Sequence, residues 1–251
     1  MFQKIINSGL LTCIALLFSF FSVKDTFKTS QLKNQRVKTA YQKKWPALQT
    51  DLKAKGIDEN NYDIYLRAFK QESLLEVFVK NSGSKQFQLL KTIPICAKSG
   101  RLGPKRKQGD NQVPEGFYEI TAFNPVSSYH LSLKVGYPNK SDLIKSGGDP
   151  GGDIMIHGSC VTIGCIPLEN EPIEELYVLC VEARNRARSI QTHIFPYRFN
   201  ENNRPAFEKN YDAETIGFWS TLEKAFNYFE LNHSLPKITT DTKGNYQINP
   251  V

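Results

Sequence analysis

An α+β fold dominated by β-structure is predicted by three features of the chain. Runs of β-type residues at Tyr62–Phe69, Leu74–Lys80, Phe87–Ile95 and Gly116–Thr121 are separated by turns in which many of the 16 glycines and 13 prolines cluster, the pattern of an antiparallel β core. Helical spacing marks other segments. In Pro172–Arg188 the residues Ile173, Leu176, Tyr177, Cys180 and Ala187 repeat on one face, and in Glu214–Leu231 the stripe is Ile216, Phe218, Trp219, Leu222, Phe226 and Phe229. Finally, 251 residues with 40% hydrophobic and 12% aromatic content are enough to bury a substantial core. No internal repeat or low-complexity stretch interrupts this pattern.

The elements divide the chain into four parts. Residues 1–23 are a signal peptide or membrane anchor: after Lys4 the run Ile5–Val23 carries no charge, and its 19 residues sit on the border between a cleaved leader and a spanning helix. Residues 24–58 form a basic helical or linker segment, with Arg36–Lys55 as its helix. Residues 59–199 hold the β-rich domain, and 200–251 a C-terminal helical extension ending in a short strand pair at Lys237–Ile248. Residues 24–55 carry nine Lys/Arg and two Asp, a balance of +7; Lys4 adds one, so residues 56–251 sum to −1 within the total of +7. The basicity is therefore confined to the stretch after the apolar run. It is read as the solvated face of a helix, with anionic head groups or wall polymer as its alternative partner. By the charge rule for topology such a stretch favours the cytoplasmic side.

Chemistry concentrates between Met155 and Leu168. His157, a base, and Cys165, a nucleophile, lie eight residues apart, and a thiol attacks carbonyls as thiolate, which a nearby imidazole generates at neutral pH. The alternation Asp153–His157 reads as a strand end and Thr162–Gly164 as a tight turn, so the amides of Gly164 and Cys165 are candidates for an oxyanion hole. Two other readings of the same residues stand beside this one. Both are core packing groups, or His157, Cys160 and Cys165 hold a metal, although the spacing His-x2-Cys-x4-Cys lacks the second ligand pair of structural zinc sites.

Ordered blocks elsewhere narrow the choice. Ser99–Lys105, Gln108–Asp110, Val113–Tyr118, Asn124–Pro125, Tyr129–Lys134 and Gly152–Gly158, followed by the cysteine motif, together resemble the YkuD-type L,D-transpeptidases, most closely a YafK-like branch, from about Tyr62 to about Phe199. The resemblance implies a YkuD-like β-sandwich catalytic domain with peripheral helices and a helical C-terminal appendage. It further implies an exported, periplasmic or envelope enzyme that forms an acyl-enzyme with peptidoglycan stem peptides in cell-wall biogenesis or remodelling, with Cys165 as nucleophile and His157 as base. Two positions depart from the family. Ile163 replaces a second histidine, and Pro167 stands where an arginine is expected, which bears on the acceptor. The alternatives are a hydrolase or amidase of the same fold that releases a cross-linked protein or peptide, and, in another class, a non-catalytic cell-wall binding module.

Around this pair Gly158, Ser159, Thr162 and Gly164 are the candidate substrate-binding residues; no cofactor, metal or nucleic-acid partner is expected, and membrane contact is assigned to the N-terminal segment. Thr162 is equally read as a turn-shaping residue. With Cys165 free, at most one disulfide remains among Cys96, Cys160 and Cys180; the helical spacing makes Cys180 a core residue, and a Cys96–Cys160 bridge is open. Asp110 and Asp153 read as turn caps or as orienting groups. Lys105, Arg106 and Lys107 are either carboxylate-binding cations or a solvated loop, and His130 reads as structural.

Overall fold

A computed structural model of the chain describes residues 26–200 and 208–250. The apolar run Ile5–Val23, with Cys13, lies outside the described residues. In chain order the elements are α1 (Phe27–Gln31), α2 (Gln35–Ala54), β1 (Tyr62–Phe69), β2 (Leu74–Asn81), β3 (Gln88–Pro94), β4 (Gly116–Asn124), β5 (Ser132–Val135), α3 (Lys140–Ser146), β6 (Met155–His157), β7 (Ile166–Pro167), α4 (Asn170–Asn185), β8 (Gln191–Phe195), α5 (Ala213–Asn232), β9 (Lys237–Thr240) and β10 (Tyr246–Asn249).

Eight strands form one sheet in the order β3-β2-β1-β8-β4-β5-β6-β7, and β9 and β10 form a separate hairpin. The expected mainly-β domain is thus a continuous sheet whose two halves share β4, and a register shift between Ile120 and Ala122 interrupts the β4–β5 ladder. Most pairings are antiparallel as expected, but β1 runs parallel to β8 and β6 parallel to β7. These two exceptions have a chain-path cause. A strand that returns to its sheet after a crossover connection arrives parallel, and β8 follows α4 while β7 follows the loop that begins at Gly158.

Alternation along β1 explains how the sheet is covered on both faces. Tyr62, Ile64, Leu66 and Ala68 join the cluster that holds Val37, Ala40, Leu48 and Leu52 of α2 and Ile173, Leu176, Cys180 and Ala183 of α4. Tyr65 and Phe69 point the other way, onto Trp219, Phe226 and Phe229 of α5, as the period of two in a strand requires. Between them Arg67 is buried on the α5 face, its Nε bonded to Glu76 at 2.7 Å and its Nη1 to Glu230 at 2.6 Å. A buried guanidinium needs such partners, because leaving one carboxylate out would strand the charge.

Both flanking segments therefore contribute to cores shared with the sheet. Helix α2 turns Lys38, Lys43, Lys53 and Lys55 to solvent while burying its apolar stripe, so its basicity is surface charge on a packed helix. The C-terminal strand pair forms with Ile238 opposite Ile248. It is anchored by Tyr246, whose ring meets Phe117 edge-on at 4.8 Å and whose Oη accepts from Asn139 Nδ2 at 2.7 Å.

Candidate active site

Strand β6 ends at His157, and the chain then loops through Gly158–Gly164 before pairing back on β6 as β7. Ile156 lies opposite Ile166 and His157 opposite Pro167. Cys165, one residue before β7, is level with Met155, whose amide donates to Cys165 Sγ at 3.4 Å. By strand geometry His157 and Cys165 occupy one face of this short ladder, two residues out of step, with Cα atoms about 8 Å apart. Their side chains carry their own bonds: the thiol donates to Asp153 O at 3.6 Å, and His157 Nδ1 meets Gly158 O at 2.6 Å. A carbonyl only accepts, so the imidazole proton sits on Nδ1 and Nε2 keeps its lone pair, the tautomer a general base needs. Tyr129 covers the ring, 4.7 Å between centroids.

Burial sets the resting protonation of both groups. It lowers the His157 pKa below the ordinary imidazole value, opposed in part by the bond to Gly158 O. Burial also raises the Cys165 pKa, against the lowering effect of the Met155 amide, and the nearby Asp153 charge adds to the rise. Loss of hydration penalises whichever form is charged, so the resting pair is neutral imidazole and protonated thiol.

Several local devices hold the loop between base and nucleophile. Cys96 and Cys160 form a disulfide, which ties the loop to a point two residues beyond β3, and Cys96 N donates to Pro167 O at 3.0 Å. The bridge also takes Cys160 out of the metal set His157, Cys160 and Cys165. Gly158 fits where a side chain does not: a Cβ there would meet Asn170 Oδ1 at 2.6 Å and His130 Cβ at 3.0 Å. Ser159 is exposed and donates its amide to Asn170 Oδ1 at 3.0 Å. Gly164 has φ +136, in the region glycine tolerates.

The turn before the thiol departs from expectation. Both candidate oxyanion amides, Gly164 N and Cys165 N, donate to Thr162 Oγ1 at 3.1 and 2.8 Å, and that hydroxyl donates to Cys165 O at 2.8 Å. A threonine hydroxyl two or three residues upstream is a ready local acceptor for turn amides, so in this structure neither amide is presented to the cavity. Thr162 shapes the turn. Asp110 is a turn cap, accepting from the amides of Arg106, Lys107 and Gln112. Lys105 pairs with Asp110 and Arg106 with Asp142, so both cations are committed within the fold. His130 bonds Glu174 at 2.8 Å, and Asp153 pairs with Lys134 at 2.8 Å.

Cys165 lines a cavity of about 100 Å³. Its wall includes residues the sequence reading did not single out: Lys70, Ser73, Lys98 and Arg101. Lys70 is buried and spent internally, donating to Gly103 O, Val113 O and Glu115 Oε1 at 2.8–2.9 Å. Glu115 in turn accepts from Trp219 Nε1 of α5 at 2.7 Å, so the C-terminal helix braces the loop that walls the cavity. Lys98, Ser99 and Arg101 sit in or beside a block already noted for its resemblance; their common cavity depends on β1 and β7 meeting in space, which no local pattern reveals.

The sequence matches the YkuD family, an L,D-transpeptidase catalytic domain, over residues 63–188, a span that contains both His157 and Cys165. It is similar to YafK of Escherichia coli K12 and of Escherichia coli O157:H7, each 34% identical over 188 residues covering 74% of this chain and 73% of the relative. Among solved structures it overlaps the helical cell shape determining protein Pgp2 of Campylobacter jejuni, with a TM-score of 0.45 and 20% identity over 74% of this chain and 66% of that one. A further overlap is Bd1075 of Bdellovibrio bacteriovorus, with a TM-score of 0.40 and 19% identity over 70% of this chain and 62% of that one. On the span of the family match and the identity to YafK, this chain belongs to the YkuD L,D-transpeptidase catalytic domain family.

Proposed function

We propose that the protein is a cysteine-dependent peptidoglycan L,D-transpeptidase that acts in the cell envelope. The observation that carries this reading is a free thiol, Cys165, in the wall of a cavity, on the same strand ladder as a histidine whose tautomer is fixed by Gly158 O. In the proposed reaction His157 Nε2 takes the thiol proton as Sγ attacks a stem-peptide carbonyl. The C–S bond forms, the scissile C–N bond breaks, and the proton passes from His157 to the leaving amine. An acceptor amine then attacks the thioester, yields its proton to His157, and the thiolate leaves to recover that proton. Where water takes the place of the amine, the same site is a hydrolase.

Envelope placement is supported by the Cys96–Cys160 disulfide, since such bridges persist in oxidising compartments. No helix among the described residues is long and apolar enough to cross a membrane; the N-terminal apolar run is the proposed export signal or anchor. A reporter fused after Val251 tests this, and activity of that reporter inside the cytoplasm would exclude a wall substrate.

Intact-protein mass spectrometry after incubation with stem tetrapeptide tests the chemistry. The expected adduct is on Cys165, absent in Cys165→Ala; product masses then separate exchange onto an amine from hydrolysis. A wild-type protein that binds peptidoglycan but never acquires the adduct would make the fold a binding module.

A further inference from the structure

We infer that Arg101 and Lys98 bind a carboxylate of the acyl donor in the cavity beside Cys165, and that Ser73 adds a hydrogen bond; this deepens the reading of Cys165 as the nucleophile for a stem peptide.

The charge around the cavity is one-sided. Among the described residues three basic side chains line it, Lys70, Lys98 and Arg101, and no carboxylate does. Lys70 is committed to Glu115 and to two carbonyls, and both partners of that ion pair are buried. Lys98 Nζ donates only to Gln71 O, at 2.6 Å, and forms no ion pair among the described residues. The Arg101 amide is fixed by Gln112 Oε1 at 2.8 Å, which anchors its backbone while its guanidinium has no ion pair among the described residues. Arg67, Lys105 and Arg106, buried or half-buried cations, each have a carboxylate. Lys98 and Arg101 are exposed, have no ion pair among the described residues and line the cavity with Cys165, which leaves both charges available to a ligand there.

An independent feature points the same way. Ser73 has a left-handed backbone, φ +54, and its Oγ is buried without a hydrogen-bond partner among the described residues while its residue lines this cavity. A buried hydroxyl left unsatisfied costs free energy that a ligand acceptor recovers. A carboxylate accepts from guanidinium, ammonium and hydroxyl together, and the planar Arg fork matches it in two bonds. The ligand class is thus a peptide with a free carboxylate within a residue or two of the carbonyl that Cys165 attacks. That carboxylate is either the C-terminus of the leaving residue or a side-chain acid of the donor.

Binding is measured in the full chain carrying Cys165→Ala, so that no chemistry intervenes. Calorimetry compares a stem tetrapeptide acid, its C-terminal amide and its side-chain amides, each against the parent, Arg101→Gln, Arg101→Lys, Lys98→Gln and Ser73→Ala. The parent is expected to prefer the acid over one of the amides by about tenfold, and the amide that loses affinity identifies the carboxylate. Arg101→Gln should erase the preference by weakening the acid alone, with Arg101→Lys in between; in the active protein the same change should raise KM more than it lowers kcat. Equal affinity for acid and amides, or a preference untouched by both Arg101→Gln and Lys98→Gln, overturns the inference. An unchanged melting point and near-UV circular dichroism check that Arg101→Gln leaves the fold intact. Acid preference without any adduct on Cys165 would sink the acyl-enzyme reading and leave the carboxylate site standing; an adduct formed without acid preference does the reverse.

Discussion

Removing the Cys96–Cys160 bridge separates what the disulfide does for stability from what it does for the site. The two cysteines are 64 residues apart in sequence, and closing a loop of that length in the unfolded chain is worth about 4 kcal/mol by the chain-entropy relation. For a chain of this size each kcal/mol moves the melting point by about 2–4 °C, so Cys96→Ser with Cys160→Ser should melt about 8–16 °C lower. The effect acts on the unfolded state, and the loop keeps other ties in the folded one: Gly158 N to Tyr129 O at 3.0 Å, Ser159 N to Asn170 Oδ1, Cys96 N to Pro167 O and the Thr162 turn. Well below its melting point the double variant should therefore retain most of the acylation rate. Differential scanning calorimetry gives the first quantity and mass-spectrometric acylation at 15 °C below the new midpoint gives the second. An unchanged melting point would refute the loop-entropy argument. A folded but unreactive double variant would show instead that the bridge holds the nucleophile in place.

Other expectations follow from single groups. Because burial holds His157 below the ordinary imidazole value, the acylation rate at saturating donor should fall with acid, with its midpoint below that of a free imidazole. His157→Gln leaves a thiol whose pKa is already raised, so it should lose about a hundredfold or more at pH 7 and regain rate into the alkaline range; a wild-type rate across pH would exclude His157 as base. His193 is buried with its pKa pushed down to about 3, and the unfolded chain takes up that proton first. Stability from its neutral form is thus lost as pH falls from 6.5 toward 3, and His193→Gln should flatten the melting curve over that window. Glu115→Gln strands the buried Lys70 charge and should cost about 3–5 kcal/mol in urea denaturation, with part recovered when Lys70→Met is added. Gly158→Ala drives a Cβ into Asn170 Oδ1 and should cost about 1–3 kcal/mol by the same measurement.

How much of this was legible in the sequence depended on whether the signal was local. β1 matches its apolar run end to end, and α5 buries Trp219, Leu222, Phe226 and Phe229 of its stripe while Ile216 and Phe218 at its start stay half-buried, because alternation and helical spacing are properties of neighbouring residues. β8 escaped notice: its five residues Gln191–Phe195 include Gln191, Thr192 and His193, which no periodicity marks as central strand, yet it sits between β1 and β4. His193 is tolerated there because Tyr65 Oη lies 3.0 Å from its Nδ1. The motif containing His157 and Cys165 was legible for the same local reason. The Cys96–Cys160 pairing is left open by the sequence and closed by the fold, whereas the Lys70–Glu115–Trp219 brace and the cationic wall at Lys98 and Arg101 have no local signal, since each joins residues that only the sheet order brings together.

The neutral resting state of the pair has a consequence for a thiol in this setting. Cys165 lies five residues from Cys160, whose sulfur is in the disulfide, and exchange proceeds by attack of a thiolate on a disulfide sulfur. A resting thiolate at Cys165 would be able to invade the bridge that straps its own loop, freeing Cys96 and sealing the nucleophile. Burial that keeps the thiol protonated suppresses this reaction. In the proposed reaction the thiolate then arises only as the bound donor's carbonyl is attacked and His157 accepts the proton. A donor carboxylate held at Arg101 and Lys98 would set a negative charge in the cavity that Cys165 lines and further disfavour a free thiolate, so binding and proton transfer must be coupled at one site. That coupling predicts that iodoacetamide labelling of Cys165 slows when a non-hydrolysable peptide acid occupies the cavity and is slowed less by its amide. Equal protection by the two at matched occupancy would mean that simple occlusion, and not charge, governs the thiol.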